Sequence, residues 1–92
     1  MKLEWDIQKD RTNFEKHGLY FEDAKLVLDG QTYTFLDDRR DYGEERFITL
    51  GTLAARIVVL IHTMRGDKIR IISMRKANER EQKIYQKRLK EN

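Results

Sequence analysis

The segment Arg56-Ile57-Val58-Val59-Leu60-Ile61-His62-Thr63-Met64-Arg65-Gly66-Asp67-Lys68-Ile69-Arg70-Ile71-Ile72-Ser73-Met74-Arg75 reads as two strands around a tight turn. Its first half is apolar on both faces for most of its length, which suits a strand near the centre of a sheet. Arg65-Gly66-Asp67 leaves room only for a tight turn, and from Lys68 to about Arg75 the chain alternates again. A parallel pairing would need a crossover of about a dozen residues or more, so these strands must be antiparallel. Upstream, Arg46 to Leu53 is a further strand, close enough to Arg56 to form a hairpin. Gln31 to Leu36, rich in Thr and aromatic residues, adds another. Between them, Asp37-Asp38-Arg39-Arg40-Asp41-Tyr42-Gly43-Glu44-Glu45 is a charged loop without apolar periodicity.

Helical signals flank this meander. Asp6 is a good N-cap for a thinly apolar helix that runs to His17 and stops at Gly18. Phe21, Ala24, Val27 and Leu28 mark a second short helix ending at Asp29-Gly30. At the other end, Asn78 and Glu81 have the spacing of a capping box, followed by an apolar stripe of Ile84, Tyr85 and Leu89. Met1 to Trp5 alternates and forms a possible short N-terminal strand. The expectation is an α+β fold: two N-terminal helices, an antiparallel sheet of about four strands and a C-terminal helix. The helices should cover one face or edge, leaving part of a sheet face open to a ligand.

Composition narrows the function classes. At 92 residues, with no repeat or linker, the chain is expected to be a single domain over 1–92. There is no cysteine, which excludes disulfides and thiolate metal sites and fits a reducing cytoplasm. The N-terminus lacks an apolar h-region, and the longest aliphatic run, Ile57 to Ile61, is far too short to span a bilayer. No membrane association is expected. Charge is polarised: residues 65–92 carry about +6 and residues 1–64 about −3, within a net charge of +3. A basic strand and helix at one end of a small protein suit a polyanion, with RNA the first candidate.

Several separated stretches resemble one family. Trp5-Asp6, Lys9, Asn13, Lys16-His17-Gly18 and Phe21-Glu22-Asp23-Ala24 are similar to the N-terminal signature of the BrnT family of type II toxins. So are Asp41-Tyr42-Gly43-Glu44-Glu45-Arg46, Leu50-Gly51 and Ile69-Arg70-Ile71-Ile72-Ser73-Met74-Arg75-Lys76-Ala77, so the likeness runs in order from about Leu3 to Tyr85. The resemblance implies a RelE-like fold and a ribonuclease that cleaves RNA and halts growth until a cognate BrnA-type antitoxin binds it. In that family the antitoxin carries the DNA-binding domain, so operator DNA would be reached only through the complex.

RNA can be cleaved without a metal or other cofactor if a base takes the 2′-hydroxyl proton, an acid protonates the leaving 5′-oxygen and cations stabilise the phosphoryl charge. Arg46, Arg70, Arg75 and Lys16 are candidates for the phosphate clamp, and His17, Glu45 and Tyr85 for proton transfer. The catalytic set expected from sequence is therefore His17, Glu45, Arg46, Arg70 and Arg75, with Lys9, Lys16, Ser73, Lys76, Arg80 and Tyr85 as RNA contacts. One constraint stands out. Strict alternation puts Arg70 on the face of Lys68, Ile72 and Met74, and Arg75 on the face of Ile69, Ile71 and Ser73. Both serve one site only if a bulge or the strand's end re-aims one of them.

His17 precedes a helix-ending glycine, where an imidazole can simply cap carbonyls. His62 lies in the most apolar strand and reads as structural. Tyr85 belongs to a helix stripe and Trp5 to the core, while Arg39 and Arg40 read as a solvated loop. Lys83, Lys87, Arg88 and Lys90 read as a solvated face that adds general attraction for RNA. A metal-dependent nuclease would draw on Asp37, Asp38, Asp41, Glu44 and Glu45, all confined to one loop, so no metal site is expected. The alternative of another class is a non-catalytic RNA-binding or protein-interaction regulatory module.

Overall fold

The structure is a computed structural model that describes residues 2–91; Met1, with which the first expected strand begins, lies outside them. The elements are β1 (Lys2–Glu4), α1 (Ile7–His17), a 3-10 turn (Phe21–Asp23) leading into α2 (Ala24–Asp29), β2 (Tyr33–Leu36), β3 (Phe47–Leu53), β4 (Arg56–Arg65), β5 (Lys68–Lys76) and α3 (Glu79–Lys90). Among the described residues no helix is long and apolar enough to cross a membrane.

The strands form one sheet in the order β1-β5-β4-β3-β2. β2 through β5 are an antiparallel meander, as the two-residue links from β3 to β4 and from β4 to β5 require for those pairs. Two expectations are corrected. The sheet has five strands rather than about four, because the N-terminal segment is a true edge strand. It is also mixed rather than antiparallel, because β1 pairs in parallel with β5, Lys2 against Lys68 and Glu4 against Arg70. No short turn links β1 to β5; three strands and both N-terminal helices intervene, so the antiparallel constraint does not bind this pair.

The helices do not share a face either. Phe21, Ala24 and Val27 pack against Val58, Leu60, Ile71 and Met74, with Leu3 and Trp5 at the margin. Tyr85 of α3 packs on the opposite side with Ile48, Leu50, Val59, Ile61 and Ala77. The cause is β4 itself: Val58 and Leu60 point one way and Val59 and Ile61 the other, and all four are buried. A strand apolar on both faces needs cover on both, at about 25 cal/mol for each Å² of apolar surface removed from water. Gly51 allows one of these layers its close approach, since a Cβ there would stand 2.7 Å from Val27 Cγ1.

Local signals behave as the chemistry demands. Asp6 caps α1 by accepting from the backbone N–H groups of Gln8 and Lys9, and Gly18 ends it in the left-handed region at φ 70°. At α3, Asn78 and Glu81 form a reciprocal capping box.

Candidate active site

β5 departs from regular alternation at one point. Ile61 of β4 pairs with Ser73, but the next residue, His62, pairs with Ile71, so Ile72 is an extra residue bulged out of the ladder. Beyond it, Thr63 faces Arg70, and on the other side Val59 faces Arg75. Val59, Ile61 and Thr63 alternate onto one side of β4, so their partners Arg75, Ser73 and Arg70 share that side of β5. This is the α3 side, where Ile48 also lies. Arg46 precedes Ile48 by two positions, which continues the same face along β3.

Each arginine there is seated by neighbours. Arg75 donates from Nη1 and Nη2 to the two carboxylate oxygens of Glu81, both at 2.8 Å. Arg70 Nη1 donates to Glu4 at 3.0 Å, across the parallel β1–β5 pair. Arg46 lies 4.1 Å over the centroid of the Tyr42 ring, with Glu44 3.9 Å from its Nε. The buried Nε of Arg46 has no hydrogen-bond partner among the described residues. The side chains of Arg70, Arg46 and Arg75 are 24%, 27% and 32% exposed, so each is held by packing yet reachable from solvent.

The charged loop contributes more than its composition promised. Asp37 N–H donates to the Arg46 carbonyl at 2.7 Å, which extends the β2–β3 ladder past Leu36. The Asp37 carboxylate is buried and accepts from Arg39 Nε at 2.7 Å, Arg39 Nη2 at 2.8 Å and the Tyr42 hydroxyl at 3.1 Å. The Arg39 hydrogen bonds hold its pKa down at about 2, against the opposing pull of burial. Glu81 is likewise held below the usual carboxylate range, first by Arg75 and then by the Asn78 backbone N–H. The charge of Arg39 reaches both partners, favouring ionised Glu81 and opposing the charge on Arg75. Five guanidiniums thus stand on or beside one face, each next to a carboxylate: Arg39 with Asp37, Arg46 and Arg65 with Glu44, Arg70 with Glu4 and Arg75 with Glu81. Arg46 and Arg65 share one carboxylate, so the face offers oriented N–H donors together with an excess positive charge. Planar forks fixed in this way suit an oxyanion such as a phosphodiester.

The other expected residues scatter. Ser73 is on the arginine face, half-buried. Glu45 is exposed, with its carbonyl accepting from Thr63 Oγ1 at 2.6 Å, which ties the residue next to Arg46 onto the sheet. His17 ends α1, and among the described residues no hydrogen bond or ion pair joins it to Glu45 or to any of the arginines. Lys9 and Lys16 are exposed on the same helix, Lys76 is exposed at the end of β5, and Arg80 is exposed in the first turn of α3. Tyr85 is buried, with its hydroxyl donating to the Gln31 carbonyl at 2.7 Å, so its place is in the core. His62 is buried and bonded through Nε2 to Thr49 Oγ1 at 2.8 Å, and burial pushes its pKa down.

Sequence reading missed Asp37, Arg39, Tyr42, Glu4 and Glu81 as parts of this face. Tyr42 carried a signal in the family-like stretch of residues 41–46, without a role attached, and Glu81 carried one in its capping-box spacing, which pointed to the helix rather than to Arg75.

A family model described as "Ribonuclease toxin, BrnT, of type II toxin-antitoxin system" matches residues 5–81. No curated protein matches the chain. The matched span takes in every arginine of the face, together with Asp37, Glu45, Tyr42, Ser73 and Glu81.

Proposed function

The chain belongs to the BrnT family of ribonuclease toxins of type II toxin–antitoxin systems, and from that membership we propose that it cleaves RNA without a metal, on the sheet face that carries Arg46, Arg70, Ser73 and Arg75. The supporting observation is the β5 bulge at Ile72, which turns Arg70 and Arg75 to the same side. A phosphodiester laid there meets guanidinium forks from two strands.

RNA supplies its own nucleophile. A base removes the 2′-hydroxyl proton, the 2′-oxygen attacks the adjacent phosphorus, and the 5′-oxygen leaves with a proton from an acid. The products are a 2′,3′-cyclic phosphate and a 5′-hydroxyl. The arginines stabilise the charge that grows on the phosphoryl oxygens; Glu4 and Glu81 keep Arg70 and Arg75 oriented before the substrate arrives, and the Tyr42 ring does so for Arg46. Glu45 and His17 are assigned to proton transfer, as the titratable side chains of the expected catalytic set. The acidic loop does not favour metal binding, since Asp37, Asp41 and Glu44 are each engaged by protein donors.

The same reading makes the protein a cytoplasmic inhibitor of translation and growth. A cognate BrnA-type antitoxin neutralises it, and operator DNA is contacted only through that complex. Induction without antitoxin is expected to arrest growth, and co-expression to relieve it. In vitro, cleavage is expected to survive EDTA. Arg46→Ala and Arg75→Ala should each lose about 10²-fold in rate, the usual scale for one lost oxyanion donor. Glu45→Ala and His17→Ala should each fall at least as far. A soluble, folded protein that leaves RNA and growth untouched would sink the proposal. Normal cleavage in both arginine variants would sink the site alone.

A further inference from the structure

The loop after β2 looks like a solvated tract in sequence, yet it contains a deeply buried carboxylate. Asp37 is 4% exposed, and its two oxygens accept four hydrogen bonds: from Arg39 N–H, Arg39 Nε, Arg39 Nη2 and the Tyr42 hydroxyl. The fork it makes with Arg39 is side-on, through Nε and Nη2. That leaves both Nη1 hydrogens and one on Nη2 free, on a guanidinium whose side chain is 60% exposed. The third partner, Tyr42, is the residue whose ring carries Arg46. A single buried charge therefore governs one exposed arginine directly and a second through an aromatic ring.

Burying a carboxylate is expensive unless it is fully paired, and the pair it makes here offers little net stability compared with apolar packing. Orientation of donors is what this arrangement supplies. The backbone hydrogen bond from Asp37 N–H to the Arg46 carbonyl, 2.7 Å, sets this pair against Arg46.

We infer that Asp37 is a positioning residue for RNA cleavage: it holds Arg39 as a fourth phosphate-binding guanidinium and, through Tyr42, seats Arg46. The inference rests on the arginine face being the RNA site, and it adds Arg39 as a contact to the scissile or a neighbouring phosphate.

The test separates positioning from simple loop anchoring. Asp37→Asn keeps the shape and removes a negative charge, so attraction for RNA is retained or raised. For a single-stranded RNA oligonucleotide that the wild-type protein cleaves, KM should stay level or fall while kcat drops by about tenfold or more, the signature of a lost transition-state contact. Arg39→Gln should lower kcat by a similar factor, and the Asp37→Asn/Arg39→Gln double variant should be no worse than the poorer single, because the two act as one unit. Melting temperatures accompany each measurement. If Asp37→Asn does not fold at the assay temperature, Tyr42→Phe replaces it: this variant keeps the ring under Arg46, loses only the bond to Asp37, and should lower kcat by about threefold.

A kcat within twofold of wild type in the folded Asp37→Asn variant, or in Tyr42→Phe where that is used instead, overturns the inference. Fully additive effects in the double variant overturn it as well. Arg75→Ala is the control: if it is impaired while Asp37→Asn is normal, only the role of Asp37 fails. If Arg46→Ala and Arg75→Ala both cleave normally as well, the RNA site lies elsewhere and the inference falls with it.

Discussion

Asn13 lies in the family-like stretch of α1, between charged neighbours that suggest a substrate contact, yet its side chain behaves as a piece of strand. β1 pairs with β5 only as far as Arg70, so the edge of β5 beyond that point lacks a strand neighbour. Asn13 fills the gap. Its Nδ2 donates to the Met74 carbonyl at 2.8 Å and its Oδ1 accepts from the Met74 N–H at 3.1 Å, the two bonds a neighbouring strand would make. A second donation, to the Leu19 carbonyl at 3.1 Å, ties down the chain after Gly18. Asn13→Leu would leave a buried backbone N–H and C=O unpaired, each worth about 1–3 kcal/mol. Urea unfolding should therefore show a loss of about 2–4 kcal/mol, and Asn13→Asp, which sets a buried carboxylate against the Met74 and Leu19 carbonyls, should lose at least as much. A change below about 0.5 kcal/mol in Asn13→Leu would refute this role. Spacing alone could not reveal it, because the partner is 61 residues away.

The β3–β4 hairpin is short and strained. Leu53 pairs with Arg56, leaving Ala54 and Ala55 as the two-residue turn, and both adopt positive φ, 51° and 65°. Positive φ at both centres is the geometry of a type I′ turn, which favours Asn-Gly and costs a residue with a Cβ about 1 kcal/mol or more. The double substitution Ala54→Asn/Ala55→Gly should raise stability by about 1–2 kcal/mol without changing the fold. Thermal melting checks it, and a fall in midpoint would show that the alanine methyls do something else. Sequence revealed the hairpin but not its strain, since Ala-Ala carries no turn signature. The β5 bulge is the same kind of feature with a larger consequence. Nothing in Ile71-Ile72-Ser73 announces an extra residue, because the bulge arises where β4 and β5 must register both with each other and with the layers above and below them.

Across the molecule, acid should unfold the protein in two stages. Burial holds His62 below its ordinary pKa of 6.5, so the fold favours its neutral form. That stability is present above pH 6.5 and is lost as pH falls through the depressed folded value. Asp37 has a folded pKa of about 2 against 3.8, so its share is intact above pH 3.8 and disappears as pH falls towards 2. The shift corresponds to at most about 2 kcal/mol, trimmed because Arg39 is open to solvent. Glu81 and Asp6, also held low by hydrogen bonds, act in the same direction. Urea midpoints measured from pH 8 to 2.5 should fall first below pH 6.5 and again below about 4. His62→Gln, which can still reach Thr49, should flatten the first decline and leave RNA cleavage unchanged. Asp37→Asn should shrink the second. A single decline untouched by either substitution would contradict this account.

Alternation, caps and turn lengths were enough to establish from the chain alone that the protein is α+β, that residues 31–76 form a meander, and that α1 and α3 begin where Asp6 and Asn78 stand. Those signals are local: hydrogen-bond partners lie within a few residues, and side-chain periodicity follows from backbone geometry. The family was legible as well, from motifs in fixed order, whereas Arg46, Arg70 and Arg75 could be named from the chain only as candidates. Long-range packing settled the rest. It added β1 in parallel, divided the helices between two faces, bulged Ile72 so that Arg70 and Arg75 face together, and buried Asp37 beneath Arg39 and Tyr42. Each of these depends on which strand lies beside which and on what must be covered. No window of sequence contains that information, because the free energy that selects it comes from contacts formed only after the layers meet.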